Sequence, residues 1–378
     1  MKIDKIFFNQ PSIIDREIDY IRNIKNFSSE GFYSKRCSQW LKRNIKCKEA
    51  LLVKSCTAAL EMAAILINVK PKDEIIMPSF TFTSTANAFV LRGAKPIFVD
   101  IDPETQNLDP KAINKVITKK TKAIVVVHYA GVSCDMNLIT KIAKRENLYV
   151  IEDAAQAILS SYKNKPLGSI GDLGALSFHE TKNIHCGEGG ALLINNPKFI
   201  KRAKIIRDKG TNRDLFNRNI VKKYTWVDYG SSYQLSELNA AFLYGQLRQA
   251  KNVIRYRLKI FKLYRKFFEN LEKKKFIKIP KIPYYSKPNG HIFYILLKKK
   301  KLTNLLNFLN SKKIYATFHY TPLHNSFFGK NFIKKKIQLK NTELVSKNLL
   351  RLPLHLGLKK RDVIRCSKEV ENFFKKNK

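Results

Sequence analysis

Residues 148–156 read Leu148-Tyr149-Val150-Ile151-Glu152-Asp153-Ala154-Ala155-Gln156. An apolar run ends in two carboxylates, and small residues follow. A short continuous run of this kind fits a strand buried on both faces of a parallel sheet. Ligands of open parallel sheets bind at the carboxyl ends of the strands, which is where Asp153 falls. A carboxylate there can pair with a cationic ring nitrogen, or it can serve as an ordinary helix N-cap. The segment alone leaves both readings open.

Working outward, similar apolar runs fall at 50–53, 74–77, 96–100, 123–127, 175–178 and 191–194. Helical patterns lie between many of them, at 57–68, 83–92, 110–117 and 137–146. This alternation predicts a doubly wound α/β domain with a mostly parallel sheet. From Glu237 to about Lys273 the chain reads as one long helix without a proline. Pro280, Pro283, Pro288 and Gly290 then break the pattern. Strand and helix segments return at 291–297, 302–310 and 315–320, with an amphipathic stretch at 362–374. The expected division is a large domain over 1–250 and a smaller C-terminal α/β domain over 251–378.

Three more strand-end segments carry chemistry. Leu176-Ser177-Phe178-His179-Glu180-Thr181-Lys182-Asn183 places a lysine in a polar turn after a strand, and Gly187-Glu188-Gly189-Gly190 follows. A lysine amine in a pocket has its pKa lowered and can form a Schiff base, whereas most lysines simply face solvent. The glycines would let backbone approach a ligand closely. Ser55-Cys56-Thr57-Ala58 joins a strand to a helix. Free N–H groups and hydroxyls at a helix start favour phosphate, although Ser and Thr are also common caps. Pro78-Ser79-Phe80-Thr81-Phe82-Thr83 offers an aromatic ring to stack on a flat cofactor or to fill the core.

Composition bounds the rest. The 378 residues carry 72 Lys and Arg against 30 acids, a formal net charge of +42. The basic residues are scattered, with short clusters at 298–301 and 334–336. There is no basic arm, zinc finger or aromatic-interleaved basic motif, so the charge is read as a lysine-rich solvated surface and not as a specific nucleic-acid site. Lys, Ile, Asn and Phe share A- and T-rich codons, which makes compositional drift a sufficient source. The six cysteines, Cys37, Cys47, Cys56, Cys134, Cys186 and Cys366, form no C-x-x-C pair and are too sparse for a disulfide framework. No metal site is expected. No uncharged apolar stretch approaches the roughly 20 residues a bilayer requires. Residues 1–20 mix charges among apolar side chains, unlike a signal peptide. A cytoplasmic protein is expected.

The order S-x-T-A, P-S-F-T-F, E-D-A-A-Q, S-F-H-x-x-K-N and G-E-G-G resembles the sugar aminotransferases of the DegT/DnrJ/EryC/StrS family. The resemblance runs from about residue 7 to 375. Segments 207–213, 224–226 and 318–324 sharpen it. It implies the aspartate-aminotransferase fold (fold type I of the pyridoxal-phosphate enzymes). By that resemblance Lys182 holds pyridoxal 5′-phosphate as an imine and then moves a proton, and Asp153 pairs with the pyridine nitrogen. Gln156 contacts the ring and Phe82 stacks on it. Ser177, Cys56 and Thr57 bind the phosphate, with Cys56 standing where the family commonly has glycine. Ser232 stands where the family often sends an asparagine into the partner subunit's site. His319, Tyr320 and His324 are candidate substrate contacts, with a structural use for the histidines as the alternative. Lys209 and Arg213 are candidates for the nucleotide diphosphate, or charged residues of a surface turn. The implied reaction takes an amino group from L-glutamate to a nucleotide-linked 4-keto-6-deoxy sugar, with ping-pong kinetics, in a homodimer with shared active sites. The rivals are an aminotransferase for another keto-sugar and, from a different class, a basic nucleic-acid-binding protein on an enzyme scaffold. A sugar dehydrase of the same fold is disfavoured because Lys182 is present.

Overall fold

A computed structural model describes residues 4–298, 301–333 and 337–376. Of the two lysine clusters, residues 299, 300 and 334–336 lie outside the described residues. The strands, in chain order, are β1 (Glu49–Val53), β2 (Glu74–Pro78), β3 (Lys95–Val99), β4 (Thr121–Val127), β5 (Tyr149–Asp153), β6 (Ser161–Tyr162), β7 (Lys165–Pro166), β8 (Leu173–Ser177), β9 (Gly190–Ile194), β10 (Ile277–Lys278), β11 (Ser286–Lys287), β12 (Phe293–Leu297), β13 (Thr317–Phe318) and β14 (Leu349–Leu352). Seven of them form the main sheet, in the order β1-β9-β8-β5-β4-β2-β3. Only β9 opposes its neighbours, β1 and β8; the other pairings are parallel. The carboxyl ends of β1, β2, β4, β5 and β8 therefore share one edge of the sheet, and β9 starts there.

The continuous apolar runs make sense as strands covered on both faces. Leu52, Ile76, Ile124 and Val126 belong to one core cluster, while Leu51, Val53, Ile75, Met77, Ala123 and Val125 belong to another. Successive side chains of a strand point to opposite faces, so each strand feeds both cores. The expected helix at 110–117 stops after one turn, at Pro110–Ile113. Val116, Ile117 and Thr118 follow, and β-branched residues are stiff and poor helix formers.

The long helix, Glu237–Lys273, is continuous over 37 residues. Ala240, Leu243, Leu247 and Val253 pack into the core of the main sheet. Ile260, Tyr264, Phe268 and Leu271 pack into a separate core with β12, β14 and the C-terminal helix Lys360–Lys376. The expected division at residue 250 thus falls inside one helix. The N-terminal strap crosses back: Ile6 pairs with Ile314 and joins the C-terminal cluster. At its start the long helix also secures a neighbour. Glu237 is buried and accepts the N–H groups of Tyr33 (2.6 Å) and Ser34 (3.2 Å). Those donors open helix Phe32–Ile45, whose N-cap Gly31 has no side chain to satisfy them.

Candidate active site

Five strand ends and one strand start enclose a cavity of about 510 Å³. Lys182, Asp153, Gln156, Ser177, Cys56, Thr57, Phe82, His319 and Tyr320 all line it. The C-terminal segments close the far side with Arg257, His291 and Arg351. Phe8 and Asn9 of the N-terminal strap complete the wall.

Asp153 ends β5 and is buried. Thr85 Oγ1 donates to its Oδ2 at 2.7 Å, and the Ala155 N–H donates to its Oδ1 at 3.1 Å. A carboxylate accepts only, so Thr85 must receive its own bond from Thr81 Oγ1, 2.8 Å away. The carboxylate is thereby aimed, with lone pairs left for a cationic donor. Its neighbour Glu152 points the other way, because side chains alternate across a strand. Glu152 is fully buried and accepts N–H groups from Gly168, Ile170 and Gly171 as well as His128 Nε2 at 2.9 Å. His128 Nδ1 accepts the Cys134 N–H, so the ring proton sits on Nε2. Of the two carboxylates in the sequence, one braces the loop beneath the site and the other faces the cavity.

Lys182 is half-buried in the turn after β8. Burial lowers its amine pKa below the usual lysine value, and the positive charge of Arg351 adds to that; Cys56 and Asp153 act in the opposite direction. The next residue holds the turn in place. Asn183 Oδ1 accepts from His291 Nδ1 at 2.8 Å, and Asn183 Nδ2 donates to the Asn289 carbonyl at 3.3 Å. Asn289 Nδ2 in turn donates to the carbonyls of Gln156 and Ile158, each at 2.9 Å. Lysine turn, glutamine loop and C-terminal segment are therefore tied together. Burial, with the charges of Lys182, Arg257 and Arg351, pushes the His291 pKa well down, so the ring is neutral.

Helix Cys56–Leu66 starts at the cavity wall. Ser55 Oγ accepts the Ala58 N–H at 3.0 Å, and Thr57 Oγ1 donates to Ser84 Oγ at 2.7 Å. The backbone N–H groups of Cys56 and Thr57 precede the first intrahelical bond and favour an anion. Ser177, at the end of β8, adds a hydroxyl. Of the glycine cluster, Gly189 lines the cavity, whereas Gly190 packs against the chain. A Cβ on Gly190 would lie 2.4 Å from the Ser55 carbonyl carbon and 2.5 Å from Cys56 N. Gly190 thus lets chain approach chain, seating the helix start against β9.

Gln156 Oε1 accepts the Ala130 N–H at 2.6 Å, and its Nε2 donates to Tyr320 OH at 3.0 Å. The His319 ring stacks on Tyr320, centroids 3.5 Å apart, and its Nδ1 lies 3.0 Å from Tyr129 OH. Burial and the charges of Arg351 and Lys182 drive the His319 pKa far below the usual value. With the Tyr129 hydroxyl as donor to Nδ1, the neutral ring would carry its proton on Nε2. Phe82 is exposed on one side and reaches towards Tyr320, 6.5 Å between centroids.

Four expected contacts are not brought to the cavity of this chain. His324 is buried behind it, bonded to Ser79 Oγ at 2.6 Å and 3.5 Å from Glu343. Its position is structural, because the turn after β13 points it into the junction with the β2 loop. Ser232 is exposed and bridges Asp208. Lys209 is exposed and pairs with Asp208 at 2.9 Å, and exposed Arg213 lies over the Tyr224 ring. These three sit on an outward segment that also bears exposed Trp226 and Tyr229. Conversely, sequence reading missed Arg351, Arg257, His291, Asn289 and Thr85. One signal was available: Arg351 interrupts the apolar run Leu349-Leu350-Arg351-Leu352.

Comparison with known proteins agrees with this geometry. The profile of the DegT/DnrJ/EryC1/StrS aminotransferase family matches residues 11–371. The chain is 35% identical over 379 residues to protein MJ1066 of Methanocaldococcus jannaschii, covering 98% of this chain and 97% of that protein. It is 32% identical to the spore coat polysaccharide biosynthesis protein SpsC of Bacillus subtilis, with 84% of each chain covered. It superposes on Helicobacter pylori PseC, an aminotransferase involved in the biosynthesis of pseudoaminic acid, with a TM-score of 0.89 and 26% identity, covering 99% of this chain and 100% of that one.

Proposed function

The chain belongs to the DegT/DnrJ/EryC1/StrS aminotransferase family, and from that premise we propose that it aminates dTDP-4-keto-6-deoxy-D-glucose with L-glutamate, giving dTDP-4-amino-4,6-dideoxy-D-galactose and 2-oxoglutarate. Its cofactor is pyridoxal phosphate. The observation that carries the reading is one cavity that holds a lysine amine of lowered pKa, an aimed carboxylate and a helix N-terminus. Those three features fit the cofactor's aldehyde, ring nitrogen and phosphate in turn. Lys182 would hold it covalently, and Asp153 would keep its ring nitrogen protonated. The N–H groups of Cys56 and Thr57 with the Ser177 hydroxyl would take the phosphate, Phe82 would cover a ring face, and Gln156 would contact the ring edge.

When bound, the cofactor supplies an electrophilic carbon and a cationic ring that draws electrons from the reacting carbon. The chain's own groups do the rest. The lowered pKa leaves more of the Lys182 amine unprotonated at neutral pH, so once released it can take the proton from the donor's α-carbon and return it elsewhere. The neutral His319 Nε2–H and the Tyr320 hydroxyl would orient the sugar by hydrogen bonds. The Asn183–His291–Asn289 ties hold the lysine turn in register with those contacts.

The choice of sugar rests on segments 207–213, 224–226 and 318–324, which resemble the dTDP-4-amino-4,6-dideoxygalactose transaminases of enterobacterial common antigen synthesis. SpsC is described as a protein of spore coat polysaccharide biosynthesis and PseC as an aminotransferase of pseudoaminic acid biosynthesis, which supports the broader class. We assign Ser232, Lys209 and Arg213 to a partner subunit's cavity in a homodimer, since they face away from their own. The exposed aromatic residues beside them suit such a contact. The two domains would meet near residue 250, within the long helix. No helix among the described residues is long and apolar enough to cross a membrane, and the proposed sugar-nucleotide substrate suits the cytoplasm.

The purified protein should be yellow, bleach with L-glutamate, and regain colour with dTDP-4-keto-6-deoxy-D-glucose as the amino-sugar accumulates. Absence of bleaching sinks the aminotransferase reading. Bleaching with no response to that sugar, but with recovery on another nucleotide-linked keto-sugar, moves the assignment to the second substrate.

A further inference from the structure

The long helix Glu237–Lys273 turns one face to the two cores and another to solvent. On the solvent side Arg248, Lys251, Arg255, Lys259, Lys262 and Lys266 are all exposed. At 3.6 residues per turn these six fall within an arc of about 80°, and they fill every position of that arc from 248 to 266. They form a straight ridge about 27 Å long, and the first acid on the same arc is Glu269. Arg248 is engaged, with its Nη1 donating to Tyr20 OH and its Nε 3.7 Å from Asp15. Among the described residues, none of the other five forms an ion pair with a carboxylate; Arg255 donates to Asn252 Oδ1 at 3.2 Å. The opposite face of the helix holds buried Val253, Ile260 and Tyr264, with Arg257 in the cavity wall. Ridge and cavity thus lie on opposite faces of one helix.

We propose that this ridge docks the protein on an anionic phospholipid surface. The inference goes beyond the aminotransferase reading and does not depend on the cofactor. Lysines scattered over a surface need no partner, but a ridge of one sign differs because its fields add. The pairs 251 and 255, 255 and 259, and 262 and 266 set like charges one turn apart, which weakens a helix unless an opposite charge faces them. Charge and shape together select the partner. The ridge carries no aromatic or aliphatic side chain, so it lacks the buried anchor that a protein interface is built around. It offers no ring on which the bases of a single strand could stack. The helix cannot enter a duplex groove, since its other side is packed against two cores. A headgroup layer asks for none of these features. Its negative potential attracts clustered cations without an apolar anchor, and a straight ridge can meet a plane along its whole length. Docked in this way, the helix keeps its cavity-lining face turned from the lipid.

The test is sedimentation of the full-length, cofactor-loaded protein with phosphatidylcholine vesicles, with and without phosphatidylglycerol. Wild type should bind only the anionic vesicles and should be released by salt. The ridge variant combines Lys251→Gln, Lys259→Gln, Lys262→Gln and Lys266→Gln, and glutamine keeps the helix propensity of lysine. A control variant removes the same charge from the loops before β2 and β4, as Lys70→Gln, Lys72→Gln, Lys119→Gln and Lys120→Gln, all of them exposed. Each lysine at such a surface contributes about fivefold to binding, so the ridge variant should lose about 100-fold or more. The control should stay within about threefold of wild type, because screening confines the attraction to about 10 Å. If the fourfold ridge variant does not fold, Lys259→Gln with Lys262→Gln carries the comparison against Lys70→Gln with Lys120→Gln, with a loss of about tenfold or more expected. Equal losses in ridge and control variants assign the binding to bulk charge and overturn the proposal, as does failure of wild type to bind anionic vesicles. A DNA duplex that strips wild type from the vesicles at equal phosphate concentration also overturns it, in favour of nucleic acid.

Discussion

Replacing Thr85 with valine is a sharp probe of the site, because valine keeps the shape and removes only a hydroxyl. Thr85 is buried and donates to Asp153 Oδ2 at 2.7 Å. A hydrogen bond to a charged group contributes about 1.5 to 3 kcal/mol, and Asp153 would retain the single bond from Ala155 N–H. The carboxylate would be less firmly aimed at the ring nitrogen it is proposed to hold. If that contribution passes to the cofactor, its dissociation constant should rise about 10- to 150-fold. Folding should weaken too, by about 1 to 3 kcal/mol, because Thr81 Oγ1 loses its partner in a buried place. Equilibrium dialysis of the cofactor against apoprotein measures the first effect, and urea unfolding of the apoprotein the second. Thr85→Ser restores the hydroxyl and should recover most of the affinity. Cofactor affinity within twofold of wild type in Thr85→Val would refute the idea that this relay aims Asp153.

Lys182→Ala should abolish turnover and the absorbance of the imine, and retention of either counts against the assignment of that amine. Gly190→Ala should destabilise the protein by about 1 to 3 kcal/mol and weaken cofactor phosphate binding, since its Cβ would meet the Ser55–Cys56 backbone at 2.4–2.5 Å; thermal melts with and without cofactor report both. Stability should also depend on pH. The folded-state pKa values of buried His291 and His319 are lowered, so below about pH 6.5 the unfolded chain binds protons that the folded chain refuses. Stability is then fully present above that pH and falls as pH drops, by about 3 kcal/mol for the pair between pH 6.5 and 5. Urea titrations at the two pH values check it, and a flat profile shows that these rings accept protons without unfolding.

Some of the site was legible because its logic is local. Asp153 ends an apolar strand and Lys182 follows one by five residues, and a parallel strand's carboxyl end is a site wherever the sheet lies. Helix start Ser55-Cys56-Thr57 is local in the same sense. Gly190 was noticed for the right reason, its tolerance of close approach, but the partner was unknowable before the strands were paired. Thr85 looked like any hydroxyl in a helix, and only the fold, with β4 between β2 and β5, puts it beside a carboxylate 68 residues away.

What the linear chain determined by itself was the alternation of two-faced apolar strands with helices, and the polar residues that must emerge where each strand stops. Period and punctuation are properties of neighbouring residues, so they survive without a fold. Tertiary structure alone decided which distant groups complete the pocket, namely Arg351, His291, Asn289 and the strap at Phe8. It also turned His324 inward and Ser232, Lys209 and Arg213 outward. The physical reason is that burial and charge compensation depend on what surrounds a side chain in space. An arginine in an apolar strand lines a pocket only when the fold opens a cavity in front of it.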